Sequence, residues 1–138
     1  MSRDDAKPRA IQPAGWAKPK GYANGIVAEG RFLFVAGQIG WDPATAAFTS
    51  DDFAAQARQA LANVRAVIDA AGASPAGLVR MTWYVTDKRR YLAAAKAIGA
   101  AWRETMNAPY PAMTLVEVKA LLEDRALVEI EATVALPR

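Results

Sequence analysis

Hydrophobic positions divide the chain into stretches of two different periods. Phe53, Ala57, Ala60, Leu61, Val64, Val67, Ile68 and Ala71 recur at three- and four-residue steps. That spacing predicts an amphipathic helix of about five turns. Ser50-Asp51-Asp52 starts it with acids at the positive end of the helix dipole, and Gly72 stops it. A second helical stretch follows Thr86-Asp87, with Tyr91, Ala95, Ile98, Trp102 and Met106 on one face and Asn107-Ala-Pro109 closing it. Alternation at every second residue marks strands. Over 78–85, Met81, Trp83 and Val85 alternate with Thr82 and Tyr84, and 112–118 and 127–134 supply the last two strands. Earlier, 25–28 and 31–36 flank a Glu29-Gly30 turn and read as a hairpin. Gly37-Gln-Ile-Gly40-Trp-Asp-Pro43 then breaks the second of these strands.

The order ββαβαββ predicts an α+β sheet carrying two helices on one face. The strand at 31–36 is apolar on both sides, with Phe32, Phe34 and Ala36 on one and Leu33 and Val35 on the other. Met113 and Leu115 share a face with Glu117. Two helices leave one sheet face uncovered, and this pattern makes that face too apolar for water. The expectation is an oligomer that buries it. Pro8, Pro13, Pro19 and scattered charges make 1–20 an irregular lead-in, and 21–138 reads as a single domain without repeats.

Composition narrows the chemistry. At 138 residues the chain buries a core without metal or disulfide help. It has no cysteine, which fits a reducing compartment and removes thiol chemistry. It has no histidine either, which removes Ser-His triads, His bases and nearly all catalytic zinc sites. The 17 basic residues against 14 acidic ones give a mild excess, much of it in Arg3, Lys7, Arg9, Lys18 and Lys20. A nucleic-acid protein would show a denser basic stripe. No apolar run approaches the roughly 20 residues of a membrane span. The start, Met-Ser-Arg-Asp-Asp, lacks the apolar stretch of a signal peptide, so a cytoplasmic location is expected.

Candidate chemistry concentrates on two strands. Glu129 and Glu131 are two apart, so both point away from the face of Val128, Ile130, Ala132 and Val134, which must meet the helices. A carboxylate at a partly dry boundary can act as acid or base, while solvated or ion-paired glutamates would do nothing of the kind. Both readings are open. Gly37-Gln38 could let a ligand approach the backbone, or simply end a strand. Tyr22 could offer a ligand-facing hydroxyl or be a packed aromatic. Trp41 could line a pocket or seal a subunit contact.

Several segments together resemble the Rid (YjgF-like) family of enamine/imine deaminases. They are Gly21-Tyr22, Phe34-Val-Ala-Gly37-Gln38-Ile39, Gln56-Ala-Arg-Gln59-Ala-Leu61-Ala-Asn63-Val64, Ala70-Ala-Gly72, Thr82-Trp-Tyr-Val-Thr-Asp87, Pro111-Ala112, Val116-Glu117-Val118 and Val128-Glu129-Ile-Glu131-Ala132. They run in the family's order from about residue 21 to the end. The resemblance implies a chorismate-mutase-like fold of the trimeric class and a homotrimer with small-molecule clefts between subunits. It implies hydrolysis of enamines or imines to a carbonyl compound and ammonia, with no metal or organic cofactor. It also implies that Glu129 activates the hydrolytic water, that Gly37 and Tyr22 line the cleft, and that Thr114 fills a small-hydroxyl position. Met113 stands where active deaminases carry the arginine that grips the substrate carboxylate. A thioether has neither charge nor donor, so carboxylated substrates are expected to bind poorly. Met113 is expected on the cleft wall that Glu129 faces, with Lys119, Arg80 and Arg103 as other cations to place. A non-catalytic member binding a metabolite or a protein is the rival reading. RNA cleavage, attributed to some relatives, is a weaker one without histidine or a basic stripe.

Overall fold

The computed structural model describes residues 7–137; the Met1–Asp5 start and Arg3 lie outside them. Six strands and three helices follow in the order β1 (Arg9–Ile11), β2 (Gly25–Val27), β3 (Phe32–Ile39), α1 (Phe53–Ala70), β4 (Leu78–Val85), α2 (Lys88–Ala93), α3 (Ala95–Thr105), β5 (Ala112–Glu117) and β6 (Val128–Ala135). The main sheet has the order β3-β6-β4-β5, with β4 and β5 parallel and the other pairs antiparallel. Its two edges are therefore β3 and β5.

Helix α1 begins where the acids predicted it. Asp52 is the cap, its carboxylate accepting from the Ala55 N–H at 3.0 Å. Phe53, Ala57, Ala60, Leu61, Val64 and Ile68 are buried against the sheet face of Val35, Met81, Trp83, Val85, Val128, Ile130 and Val134. Gly72 stops the helix with φ +70°, which a side chain would rarely tolerate.

Three expectations need correction. β2 does not form a hairpin with β3; it pairs with β1, so a strand lies inside the segment read as irregular. The second helix is broken at Ala94 into α2 and α3. β3 runs on past Ala36 to Ile39, because a bulge absorbs the glycine instead of ending the strand: Val35 pairs with Ala132 and Gln38 with Ile130, leaving Ala36 and Gly37 opposite Glu131 alone.

The uncovered sheet face also differs from the expected apolar surface. Register pairs Met113 with Met81 and Leu115 with Trp83, so both turn toward the core. The open face instead carries Arg80, Thr82, Tyr84, Thr114, Glu129, Glu131 and Thr133. Apolar side chains share that face: Phe32, Phe34 (76% exposed), Ile39, Ala112 and Val116 (39% exposed). The face is mixed, polar along β4 and β6 and apolar along β3.

Candidate functional site

β6 presents its carboxylates as the alternation requires. Val128, Ile130, Ala132 and Val134 are buried, while Glu129 and Glu131 are half-buried on the other face. The bulge in β3 then brings Gly37 against Glu129. A Cβ on Gly37 would run into that carboxylate, whose Cδ lies 2.7 Å from where the Cβ would sit. Gly37 does not need a left-handed φ; it is required by this close approach. The result is a carboxylate laid over bare backbone at the end of an edge strand.

The far end of β3 is held by polar residues of α1. Asn63 Nδ2 donates to the carbonyls of Ile39 (3.1 Å) and Trp41 (3.0 Å), and Gln59 Nε2 donates to Asn63 Oδ1. Buried Gln56 donates to the carbonyls of Ser50 and Arg125 and accepts from the Leu127 N–H. Gly40 lies so close to α1 that a Cβ there would meet Gln56 Cα at 2.6 Å. This segment of the helix is thus a clamp that fixes the strand ends carrying Gly37 and Glu129. Trp41 packs on Phe48 at 5.9 Å, and the Arg125 guanidinium covers Phe48 at 5.4 Å. Trp41 seals its own turn within the chain.

Tyr22, Met113 and Thr114 belong to the opposite edge. Ala23 N–H donates to the Pro111 carbonyl at 2.9 Å and bridges to Ala112, which lays exposed Tyr22 beside the start of β5. Met113 and Thr114 are successive residues of β5 and face opposite ways, Met113 half-buried toward Met81 and Thr114 exposed on the open face. Within one chain, then, Met113 does not share a wall with Glu129; they occupy opposite faces with β4 between their strands. Lys119 is exposed beyond the end of β5. Arg103 lies on α3, in the helical layer, away from the face of Glu129. Glu117 is structural: its Oε1 accepts the Lys88 N–H at 3.0 Å, supporting the first turn of α2.

Sequence reading passed over one participant. Tyr84 lies directly across from Glu129, and its hydroxyl donates to Glu131 Oε1 at 2.7 Å. Its pKa is raised above the usual phenol value, first by this hydrogen bond to a carboxylate. Partial burial and the charges of Glu131 and Glu129 add to the rise, and Arg80 opposes it. Its place in the Thr82-Trp-Tyr-Val alternation already put it on the glutamates' face. Among the described residues, no cluster of acidic side chains is arranged to hold a metal ion.

A four-stranded mixed sheet with its helices on one face is an α+β domain of the chorismate-mutase-like type. Residues 16–136 match the family model described as Endoribonuclease L-PSP. The chain belongs to that family, the Rid (YjgF-like) proteins. It is 40% identical over 103 residues to a 2-iminobutanoate/2-iminopropanoate deaminase of Salmonella typhimurium, covering 75% of this chain and 78% of that one. A RutC family protein of Pyrococcus horikoshii is 37% identical over 115 residues, 83% of this chain and 87% of the relative. Among solved structures, a Rid-family protein of unknown function from Yersinia pestis superposes with a TM-score of 0.83 at 33% identity, covering 94% and 99% of the two chains.

Proposed function

We propose that this protein hydrolyses an enamine or imine to a carbonyl compound and ammonia, in clefts that form between copies of the chain. The observation that carries the reading is the Glu129 carboxylate resting on the glycine backbone of Gly37. Water there loses a proton to Glu129 as its oxygen bonds to the imine carbon. The protonated carboxyl then returns that proton to the nitrogen; Glu129 next takes the carbinolamine hydroxyl proton and passes it to the amine, so that C=O forms as the C–N bond breaks and ammonia leaves. Backbone amides beside Gly37 offer donors to the developing charge. The deaminase name of the Salmonella relative supports the same chemistry.

Assembly follows from where the proposed site residues lie. Gly37 and Glu129 sit at the β3 side of the sheet, and Tyr22, Met113 and Thr114 at the β5 edge. A cleft using all five takes one half from each of two copies. Joining unlike edges is a heterologous contact, which makes a ring when its rotation closes. A homotrimer is the ring the family resemblance implies. We place the protein in the cytoplasm; among the described residues no helix is long and apolar enough to cross a membrane.

Met113 sets the preference. Without the arginine, a carboxylated imine loses a charge-paired grip, on the order of 2–5 kcal/mol when one partner is missing. Ammonia release should therefore be measured with imines made in situ by an amino-acid oxidase and with a carboxylate-free imine. The expected result is slow turnover of the carboxylated imines, faster turnover after Met113→Arg, and loss of about a hundredfold or more on Glu129→Gln. Full activity in Glu129→Gln would overturn the assignment. Inactivity of both wild type and Met113→Arg on every imine would favour the non-catalytic, metabolite-binding reading.

A further inference from the structure

The outer side of the helical layer carries a stripe of side chains that the proposed hydrolysis does not use. Lys88, Leu92, Lys96 and Arg103 stand at steps of four, four and seven residues, so they share one face of α2 and α3, with Arg89 beside them. The break at Ala94 does not scramble that face. Tyr91, Ala94, Ile98, Ala101 and Trp102 keep turning inward across it, while the stripe residues are all exposed. Residues 88–103 hold five cations and no Asp or Glu, against a net charge of +3 for the whole chain. The carboxylates at either end are already engaged: Asp87 accepts from the Arg89 N–H and lies 3.9 Å from Arg90, and Glu104 pairs with Arg58. Lys88, Arg89, Lys96 and Arg103 form no ion pair among the described residues. Arg103 folds back along the stripe over Gly99, its Nη1 3.6 Å from where a Cβ would sit. At about 1.5 Å per residue the stripe is about 22 Å long. Leu92, 65% exposed, stands between Lys88 and Lys96.

We propose that this stripe is a docking surface for an acidic helical segment of another protein, one of whose apolar side chains, set among carboxylates, lands on Leu92. Side chains at four-residue steps on one helix match the rows of a second helix laid against it. Charge complementarity of this kind speeds encounter and fixes register, and an apolar contact within it excludes water. Two other polyanions fit less well. Single-stranded RNA is held by aromatic stacking as well as by charge, and the aromatics here face inward. Tyr91 meets Phe53 and Trp83 edge-on, and buried Trp102 stacks on Tyr110. A lipid surface takes a broad apolar face, and the stripe offers one exposed leucine. The stripe lies on the other side of the sheet from Glu129, so docking there leaves the proposed cleft open.

The test is fluorescence anisotropy of the assembled protein with a labelled alanine-based helical peptide that carries glutamates at four-residue steps around one leucine. The same peptide with serine for the leucine, a single-stranded RNA oligomer and vesicles of anionic phosphatidylserine form parallel arms. The expected result is saturable, salt-sensitive binding of the leucine peptide, weakened about tenfold or more by Lys96→Glu/Arg103→Glu and less by Leu92→Ser. With the serine peptide, Leu92→Ser should cost nothing further, which ties Leu92 to the peptide's leucine. Lys18→Glu/Lys20→Glu, at exposed positions of the lead-in, makes the same change in net charge and should leave binding unaltered. Lys96→Gln/Arg103→Gln should fall between wild type and the charge reversal, and tests the stripe even if the reversal disturbs α3. Absence of saturable binding, an equal loss in Lys18→Glu/Lys20→Glu, or tighter binding of the RNA or the vesicles through Lys96 and Arg103 would overturn the proposal. None of these outcomes depends on imine turnover, so the hydrolytic reading can fail while this one stands.

Discussion

Glu129 and Gly37 explain each other: the side chain needs a neighbour without a Cβ, and the glycine needs a reason to be there. Gly37→Ala should therefore displace the carboxylate without breaking the core, because the clash is with the end of an exposed-side chain and not with backbone. Expected is a loss of activity of about tenfold or more, since misplacing a reacting group by an ångström is costly, with a near-normal melting temperature. A severe loss of stability with activity kept would show that the glycine serves folding instead. Tyr84 makes a pH prediction. Its raised pKa means that the folded state holds the phenol proton more tightly than the unfolded chain does. The linked stabilisation is present below the unfolded value of 10.0 and fades as pH rises through the higher folded one. Ultraviolet titration should find one phenolate midpoint that falls toward 10.0 in Glu131→Gln, since the charged acceptor is gone; no change on that substitution would contradict the hydrogen bond. The carboxylates were legible in the sequence because period two fixes their face. The contact with Gly37 was not, because it depends on a bulge that leaves no periodic trace.

At the level of elements, the helix–sheet alternation and α1 were readable from apolar spacing and acidic caps. The pairing of β2 was not, since Glu29-Gly30 is as good a hairpin turn as many real ones, and the competing partner β1 is a three-residue strand among prolines. The inward turn of Met113 and Leu115 was hidden for a related reason. An alternating strand says which residues share a face, but only its neighbours say which face is inside. The polar positions of α1 are the clamp on β3, and they carry a stability prediction. Gln56→Ala strands the Leu127 N–H and two carbonyls in a buried place. It should cost about 2–3 kcal/mol in urea unfolding. Gly40→Ala, which presses a methyl against helix backbone, should cost about 1–3 kcal/mol by overpacking. Two variants with wild-type unfolding midpoints would mean that the clamp is slack.

For the whole molecule, the decisive feature is that the proposed site residues divide between opposite edges of one sheet. Light scattering should give about 44 kDa, three times the 14.8 kDa of the chain, and a stable monomer at micromolar concentration would remove the cleft. The division itself is open to a sharper test. The doubly substituted chain Met113→Arg/Glu129→Gln should be inactive alone, having a grip but no base. Co-assembled with wild-type chains, it should create clefts in which the introduced guanidinium on one copy faces Glu129 of the next. Ammonia release from 2-iminobutanoate, per wild-type chain, should then exceed that of the wild-type protein by itself. A mixture no faster than its wild-type fraction would contradict the account, and would mean that Met113 and Glu129 never serve the same substrate.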